Sequence, residues 1–396
     1  MEDVKLACQE NIFGTYTRLP IVFARGQGVR LWDQSGKEYL DFLAGIAVCN
    51  LGHCHPELTR VMCQQADTLV HVSNLFYTVP QVELAARLTR LSFADKVFFS
   101  NSGAEANEAA IKLARKYSKD RYGAGRFHII TMKDSFHGRT LATLSATGQD
   151  KIHKGFEPLV GGFTFVDFNS LEAVEKAITD RTCAVMVEPI QGEGGVNFPA
   201  EGYLDELKTM CRKYDLLLIF DEVQVGMGRT GTLFAYEQEG MTPDIMTLAK
   251  ALGNGLPIGA MLATNEVAQA FTPGSHATTF GGTPLVTSVA RRTLELISED
   301  SFLDRVKQVG TYFVARLEHL QSQHGLIKEV RGRGLMIGME LEIPGAHIVQ
   351  QCLDRGFIIN CTHDTVLRFV PPLIVQEEEI DLLIQVLDEV LKEETK

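Results

Sequence analysis

Residues 216–224 read Leu216-Leu217-Leu218-Ile219-Phe220-Asp221-Glu222-Val223-Gln224. Five apolar side chains in a row cannot alternate between a wet and a dry face, so this piece reads as a strand buried on both sides, the kind found in parallel sheets covered by helices. Working outward, short apolar runs of the same kind recur at Val97-Phe98-Phe99, Phe127-His128-Ile129-Ile130-Thr131-Met132, Thr164-Phe165-Val166, Cys183-Ala184-Val185-Met186-Val187, Ile245-Met246-Thr247-Leu248 and Gly259-Ala260-Met261-Leu262-Ala263. Helix-compatible stretches at 104–117, 170–178 and 202–213 separate several of them. The pattern predicts an α/β domain built on a mostly parallel sheet with helices on both faces.

The flanking regions differ. Val29-Arg30-Leu31-Trp32 and Glu38-Tyr39-Leu40-Asp41-Phe42 read as strands around a Ser35-Gly36 turn, too thin to fold alone. Beyond residue 298, helices are expected at 302–322, 345–354 and 376–393. One strand is expected over Gly332–Leu341, partly alternating as if one face met solvent, with others at 357–359 and 366–369. This divides the chain into an N-terminal segment 1–55, a large α/β domain 56–298 and a small α+β domain 299–396. A length of 396 residues exceeds what one core usually serves, in keeping with more than one domain.

Composition narrows the partners. The 38 basic and 50 acidic residues leave a net charge of −12, which offers no overall attraction to nucleic acid or acidic lipid. Eight cysteines without a C-x-x-C pair read as reduced thiols, and Gly52-His53-Cys54-His55-Pro56 reads as a structural turn, since no third metal ligand is placed. The acidic N-terminus carries no long apolar run, and no later segment reaches the roughly 20 apolar residues that span a bilayer. The expected location is the cytoplasm.

Three features at strand ends look chemical, because open α/β sheets bind ligands there. Asn101-Ser102-Gly103-Ala104-Glu105-Ala106-Asn107-Glu108 runs from a strand into a helix, whose first turn can cup a phosphate. Asp221 closes the buried strand and can hold a positive charge. Lys250 ends Ile245-Met246-Thr247-Leu248-Ala249-Lys250, and a lysine that loses its proton can add to a carbonyl carbon. Each has an ordinary reading as a helix cap, a strand-end contact or a surface lysine. Together they meet the requirements of pyridoxal phosphate.

These stretches, with Phe136-His137-Gly138-Arg139, Glu188-Pro189-Ile190-Gln191-Gly192-Glu193-Gly194-Gly195 and Thr279-Phe280-Gly281-Gly282, resemble the class III, fold-type I pyridoxal-phosphate aminotransferases in order and separation. The resemblance runs from Phe13 to the C-terminal helix. It implies that Lys250 carries the cofactor and moves protons, that Asp221 pairs with the pyridine nitrogen, and that Gln224 faces the ring hydroxyl. It also implies that Phe136 stacks on the ring, that Ser102, Gly103 and Ala104 bind the phosphate, and that Thr279 reaches the phosphate of a partner subunit in a homodimer with shared active sites. For substrates it implies that Arg139 grips a remote carboxylate, Arg368 receives the α-carboxylate of glutamate or 2-oxoglutarate, Glu193 pairs with Arg368 and moves aside, and Thr278 lies on the substrate side. Glu188 is expected at the site wall, and no metal is implied. The implied reaction joins N2-acetyl-L-ornithine and 2-oxoglutarate. Other ω-aminotransferases, acting on succinylornithine, ornithine, 4-aminobutyrate or an acylated diaminopimelate, are the nearest alternatives. Thr283 departs from the family's usual asparagine.

Overall fold

The computed structural model describes residues 2–394. Three short strands come first: β1 (Phe23–Gln27), β2 (Arg30–Asp33) and β3 (Glu38–Asp41). Seven follow in the middle of the chain: β4 (Lys96–Ser100), β5 (His128–Met132), β6 (Phe163–Val166), β7 (Thr182–Val187), β8 (Leu217–Asp221), β9 (Ile245–Leu248) and β10 (Gly259–Ala263). The last five are β11 (Ile327–Arg333), β12 (Met336–Leu341), β13 (Phe357–Ile358), β14 (Asn360–Thr362) and β15 (Val366–Phe369).

The seven middle strands form one sheet in the order β4-β10-β9-β8-β7-β5-β6. Only β10 is reversed, antiparallel to both β4 and β9. Strands β7, β8, β9 and β10 are buried at every residue, as their unbroken apolar sequences require. Because β4, β5, β7, β8 and β9 share a direction, the segments leaving their carboxyl ends emerge along one edge. The start of the reversed β10 lies at that same edge.

The chain ends share a second core. Strand β3 pairs in parallel with β13, so the four-stranded sheet β1-β2-β3-β13 takes strands from both termini. Val29, Leu40 and Phe42 pack with Phe313, Phe369 and Leu387. At the Gly52–Pro56 turn, His53 Nε2 lies 2.7 Å from Asp41 Oδ2, and its backbone bridges to Gly28.

One expectation is corrected. The single strand anticipated over 332–341 is the closing part of a hairpin, with β11 and β12 antiparallel and Arg333 facing Met336. Gly334 makes the turn at φ +55, and a Cβ there would lie 2.5 Å from the Thr230 carbonyl carbon. Nor does β12 show a face to solvent: Met336, Ile337, Gly338 and Met339 are all buried. The helix expected at 104–117 runs further, over Gly103–Tyr122.

Candidate active site

Five strand ends deliver the site. Ser102 follows β4, Phe136 follows β5, Glu188 follows β7, Asp221 ends β8 and Lys250 follows β9. With Gly103, Ala104, Arg139 and Gln224 they line one cleft of about 470 Å³. That volume is in the range of small-molecule sites.

Ser102 is the N-cap of helix Gly103–Tyr122, and its hydroxyl accepts from the Glu105 N–H at 3.1 Å. Glu105 answers by accepting from the Asn101 N–H at 2.7 Å. This reciprocal cap fixes the first turn while leaving other N–H groups at the positive end of a long helix open to an anion.

Asp221 is buried and held on both oxygens. Oδ1 accepts from the Val223 N–H at 3.0 Å, and Oδ2 lies 2.7 Å from Asn107 Nδ2 and 2.8 Å from His137 Nδ1. Thr247 donates to Asn107 Oδ1 at 2.7 Å, which turns the amide NH2 toward Asp221 and the His137 carbonyl. His137 Nε2 is buried without a hydrogen-bond partner. A bare acceptor costs less than a stranded donor here, so the proton belongs on Nδ1, facing Asp221. Asn107, His137 and Thr247 are therefore part of the site, although sequence reading assigned them no role.

Lys250 is half-buried and holds a left-handed backbone conformation, φ +42, of the kind that stores strain at functional positions. Burial pushes its amine down to about 8, Glu193, Asp221 and Glu188 pulling the other way and Arg368 assisting. About half the amines are neutral at pH 8, against well under 1% for an ordinary lysine. Burial, followed by the charge of Asp221, raises Glu188 well above the usual carboxylate range; its Oε2 accepts from the Phe136 N–H at 3.0 Å.

Arg368 on β15 is 1% exposed and stands behind Gln224. Its Nη1 donates to Glu193 Oε1 at 2.7 Å and to Gln224 Oε1 at 3.2 Å, and its Nε to Asn360 Oδ1 at 3.2 Å. Burial alone would raise Glu193, but the attraction of Arg368 outweighs it and holds the carboxyl below its ordinary value. Arg139 is exposed, its guanidinium 5.7 Å from the centroid of the Phe136 ring.

Thr278 and Thr279 do not line this cleft. The Thr278 hydroxyl accepts from Asn101 Nδ2 at 3.3 Å and the Gly281 N–H at 3.1 Å. Thr279 borders a small recess with Asn74, Phe76 and Gln81. A larger groove of about 720 Å³ lies near Lys133, Asp167 and Arg331. Its cations are already engaged, Lys133 with Asp167 at 2.7 Å and Arg331 with Glu329 and Glu340 at 2.7 and 2.8 Å.

The cleft thus brings together an anion-binding helix end, a fixed buried acid, a flat aromatic wall and a lysine ready to lose its proton. These suit the phosphate, pyridine nitrogen, ring and aldehyde of pyridoxal phosphate, and they define a pyridoxal-phosphate-dependent transferase. The family described as aminotransferase class-III matches residues 14–391, and the chain belongs to it. An acetylornithine aminotransferase of Methanocaldococcus jannaschii is 54% identical over 96% of this chain and 95% of its own. One from Caldanaerobacter subterraneus is 53% identical over 96% and 97%. Among solved structures, the ornithine aminotransferase of Toxoplasma gondii superposes with a TM-score of 0.96 at 34% identity, covering 100% of this chain and 96% of that one. The N-acetylornithine aminotransferase of Stenotrophomonas maltophilia gives 0.86 at 38% identity, covering 99% of each. The protein is a pyridoxal-phosphate-dependent aminotransferase. Among the described residues no helix is long and apolar enough to cross a membrane.

Proposed function

We propose that the protein transfers the δ-amino group of N2-acetyl-L-ornithine to 2-oxoglutarate, giving N-acetyl-L-glutamate 5-semialdehyde and L-glutamate, as a cytoplasmic homodimer serving arginine synthesis. The observation that carries this reading is the buried Arg368 closed off by Glu193 while Arg139 stays open at the cleft. An enzyme that accepts both an ω-amine and an α-amino acid must hide one cation from the first and offer it to the second. Two or more relatives about half identical over nearly the whole chain share the acetylornithine designation.

When bound, pyridoxal phosphate supplies the electron sink that makes the amine-bearing carbon acidic. Ser102, Gly103 and Ala104 would hold its phosphate, Phe136 its ring face, Asp221 its ring nitrogen and Gln224 its hydroxyl side. Arg139 takes the α-carboxylate of N2-acetylornithine, which lies remote from the reacting δ-carbon. Glu193 stays on Arg368 during that half-reaction, so no free cation crowds the neutral chain. With glutamate or 2-oxoglutarate the carboxylate adjoins the reacting carbon, and Arg368 receives it in bidentate geometry once Glu193 swings out. Lys250 Nζ removes the proton from the reacting carbon and later returns one, acting as base and then acid.

A second copy is supported by an exposed apolar face. Leu75 is 85% exposed and Tyr77 99%, and the neighbouring Phe76 borders the recess that holds Thr279. Apolar surface of that kind supports an interface there. Pairing through it would carry Thr279 toward the partner's phosphate site.

The close superposition on an ornithine aminotransferase favours a second reading, with free ornithine as donor. Stopped-flow spectra of the cofactor-loaded enzyme separate the two, with N2-acetylornithine, succinylornithine, ornithine and 4-aminobutyrate added at equal low concentration. The fastest loss of the lysine-bound cofactor absorbance is expected with N2-acetylornithine. A clear preference for another amine would reassign the donor, and no response to any amine would defeat the proposal.

A further inference from the structure

The Asn101–Glu108 stretch continues past the phosphate cup, and its second half is built into the substrate side of the cleft. Ala104, Asn107 and Glu108 stand at i, i+3 and i+4 and so share one face of the helix. Each holds one residue of the loop 137–140. Gly138, at φ +137, passes so close that a Cβ there would lie 2.8 Å from Ala104 Cβ. Asn107 Nδ2 donates to the His137 carbonyl at 2.8 Å. Glu108 Oε1 accepts from the Thr140 hydroxyl and from the Ala142 and Thr143 N–H groups at 3.1 and 3.3 Å.

Glu108 therefore caps a helix other than its own, Leu141–Ala146, which begins two residues after Arg139. Acidic groups are favoured at such a place by the exposed N–H groups and the helix dipole. The location matters because the Arg139 guanidinium is exposed and rests against the Phe136 ring. Its direction is then set by its backbone, which is pinned at Gly138 on one side and at capped Thr140 on the other.

We propose that Glu108 is a positioning residue for Arg139, and that it sets the enzyme's preference for donors bearing a carboxylate remote from the reacting amine. The inference rests on the reading of Arg139 as the carboxylate clamp. It also makes one helix the common ruler for cofactor and substrate: its N-terminus faces the phosphate, and its next turn aims the arginine.

The test compares cofactor-loaded wild type, E108A, E108D, E108Q and R139A. Two donors are used, N2-acetylornithine and N-acetyl-1,4-diaminobutane, which is the same amine without the carboxylate. Binding of glutarate, a dicarboxylate with no amine to transfer, is measured by calorimetry as a readout independent of turnover. E108A should lower the kcat/KM ratio of the two donors about tenfold and weaken glutarate to a similar degree, with cofactor absorbance retained. E108D, one methylene short, should move both quantities the same way and serves if E108A does not hold cofactor. E108Q keeps an oxygen for all three bonds and should stay within about threefold of wild type. Equal loss for both donors in E108A would make Glu108 merely structural and overturn the inference, as would an unchanged ratio alongside a collapsed one in R139A. An unchanged ratio in R139A would instead remove the clamp reading itself, and the inference with it.

Discussion

Replacing Lys250 by methionine should make the cofactor-free protein more stable, and the size of the gain follows from the site. Burial lowers the amine from 10.5 to about 8. Below pH 8 the ammonium is carried by folded and unfolded chains alike, and the folded chain bears the whole desolvation cost. Each pH unit of separation is worth 1.36 kcal/mol, so the cost at pH 7 is about 3 kcal/mol. The unfolded chain holds more protons between pH 8 and 10.5, so wild-type stability rises through that window and the penalty fades. Methionine has similar length, no charge and a flexible apolar chain, so K250M is relieved of the penalty at every pH. For a chain of this length, unfolding entropy near 2 cal/mol/K per residue converts 3 kcal/mol into a Tm gain of about 4 °C at pH 7. At pH 10 the remaining cost is under about 1 kcal/mol, and the gain should shrink to about 1 °C. Scanning calorimetry of the two cofactor-free proteins at pH 7 and pH 10 checks it. A K250M protein no more stable than wild type at pH 7, or a gain that does not contract at pH 10, would refute the account of a lysine held against its charge.

Four further outcomes are expected. E193Q leaves Arg368 without its counter-charge, so kcat/KM should rise for glutamate and fall for N2-acetylornithine by several-fold each in single half-reactions; equal change in both would dismiss the gate. Because Arg368 holds Glu193 below its ordinary value, that ion pair stabilises the fold above the unfolded carboxylate pKa and is lost as pH falls through the folded one, so wild type and E193Q should converge in stability at acid pH. N107D sets a carboxyl where an NH2 now meets Asp221 at 2.7 Å, and two buried carboxylates cannot both ionise there; relative to wild type the variant should lose up to about 1.4 kcal/mol per pH unit above pH 4, read from melting curves between pH 5 and 8. Refolding K250A together with T279E should restore up to about a quarter of wild-type activity, because half the dimers are hybrids with one intact site each; no recovery would place Thr279 outside any shared site.

The seven middle strands were legible because each is a short apolar run that admits no amphipathic helix, and Asp221 stood out as the first polar residue after such a run. The reversal of β10 was not read, since Gly259–Ala263 is as apolar as its parallel neighbours. Its signal lay in the connection: residues 249–258 are too few for the crossover that a parallel pair needs. The 332–341 hairpin escaped because Gly334 leads straight into the apolar run Leu335–Met339, and the turn shows only in the pairing of Arg333 with Met336, in the positive φ of Gly334 and in its close approach to Thr230. Among the residues that line the cleft, Lys250, Asp221 and Ser102 were singled out by their positions at strand ends. Asn107 and His137 were in quoted stretches yet without a role, because their partners, Asp221 and Thr247, come from strands far along the chain. Helical spacing shows that 104, 107 and 108 share a face; it does not show what that face meets.

Arg229 illustrates the same limit and explains how the two cores are joined. Its guanidinium is fully buried and donates to the Leu335 carbonyl at 3.0 Å, to the Pro371 carbonyl at 2.6 Å and to Asn50 Oδ1. Burial lowers it to about 9, the nearby charge of Asp41 opposing the shift. A cation kept so far from water is costly, and three carbonyl-type acceptors recover part of that cost only while all three segments stay in place. Two of those segments and the one that carries Arg229 lead to the site from different sides: Pro371 follows Arg368, Asn50 follows Val48 in the cleft wall, and Arg229 itself follows Gln224. Arg368 belongs to the sheet formed late in the chain, whereas Asp221 belongs to the middle sheet and Lys250 follows its strand β9. The distance between Arg368 and Lys250 is thus a distance between two separately built sheets, and Arg229 is one of the polar links at their junction.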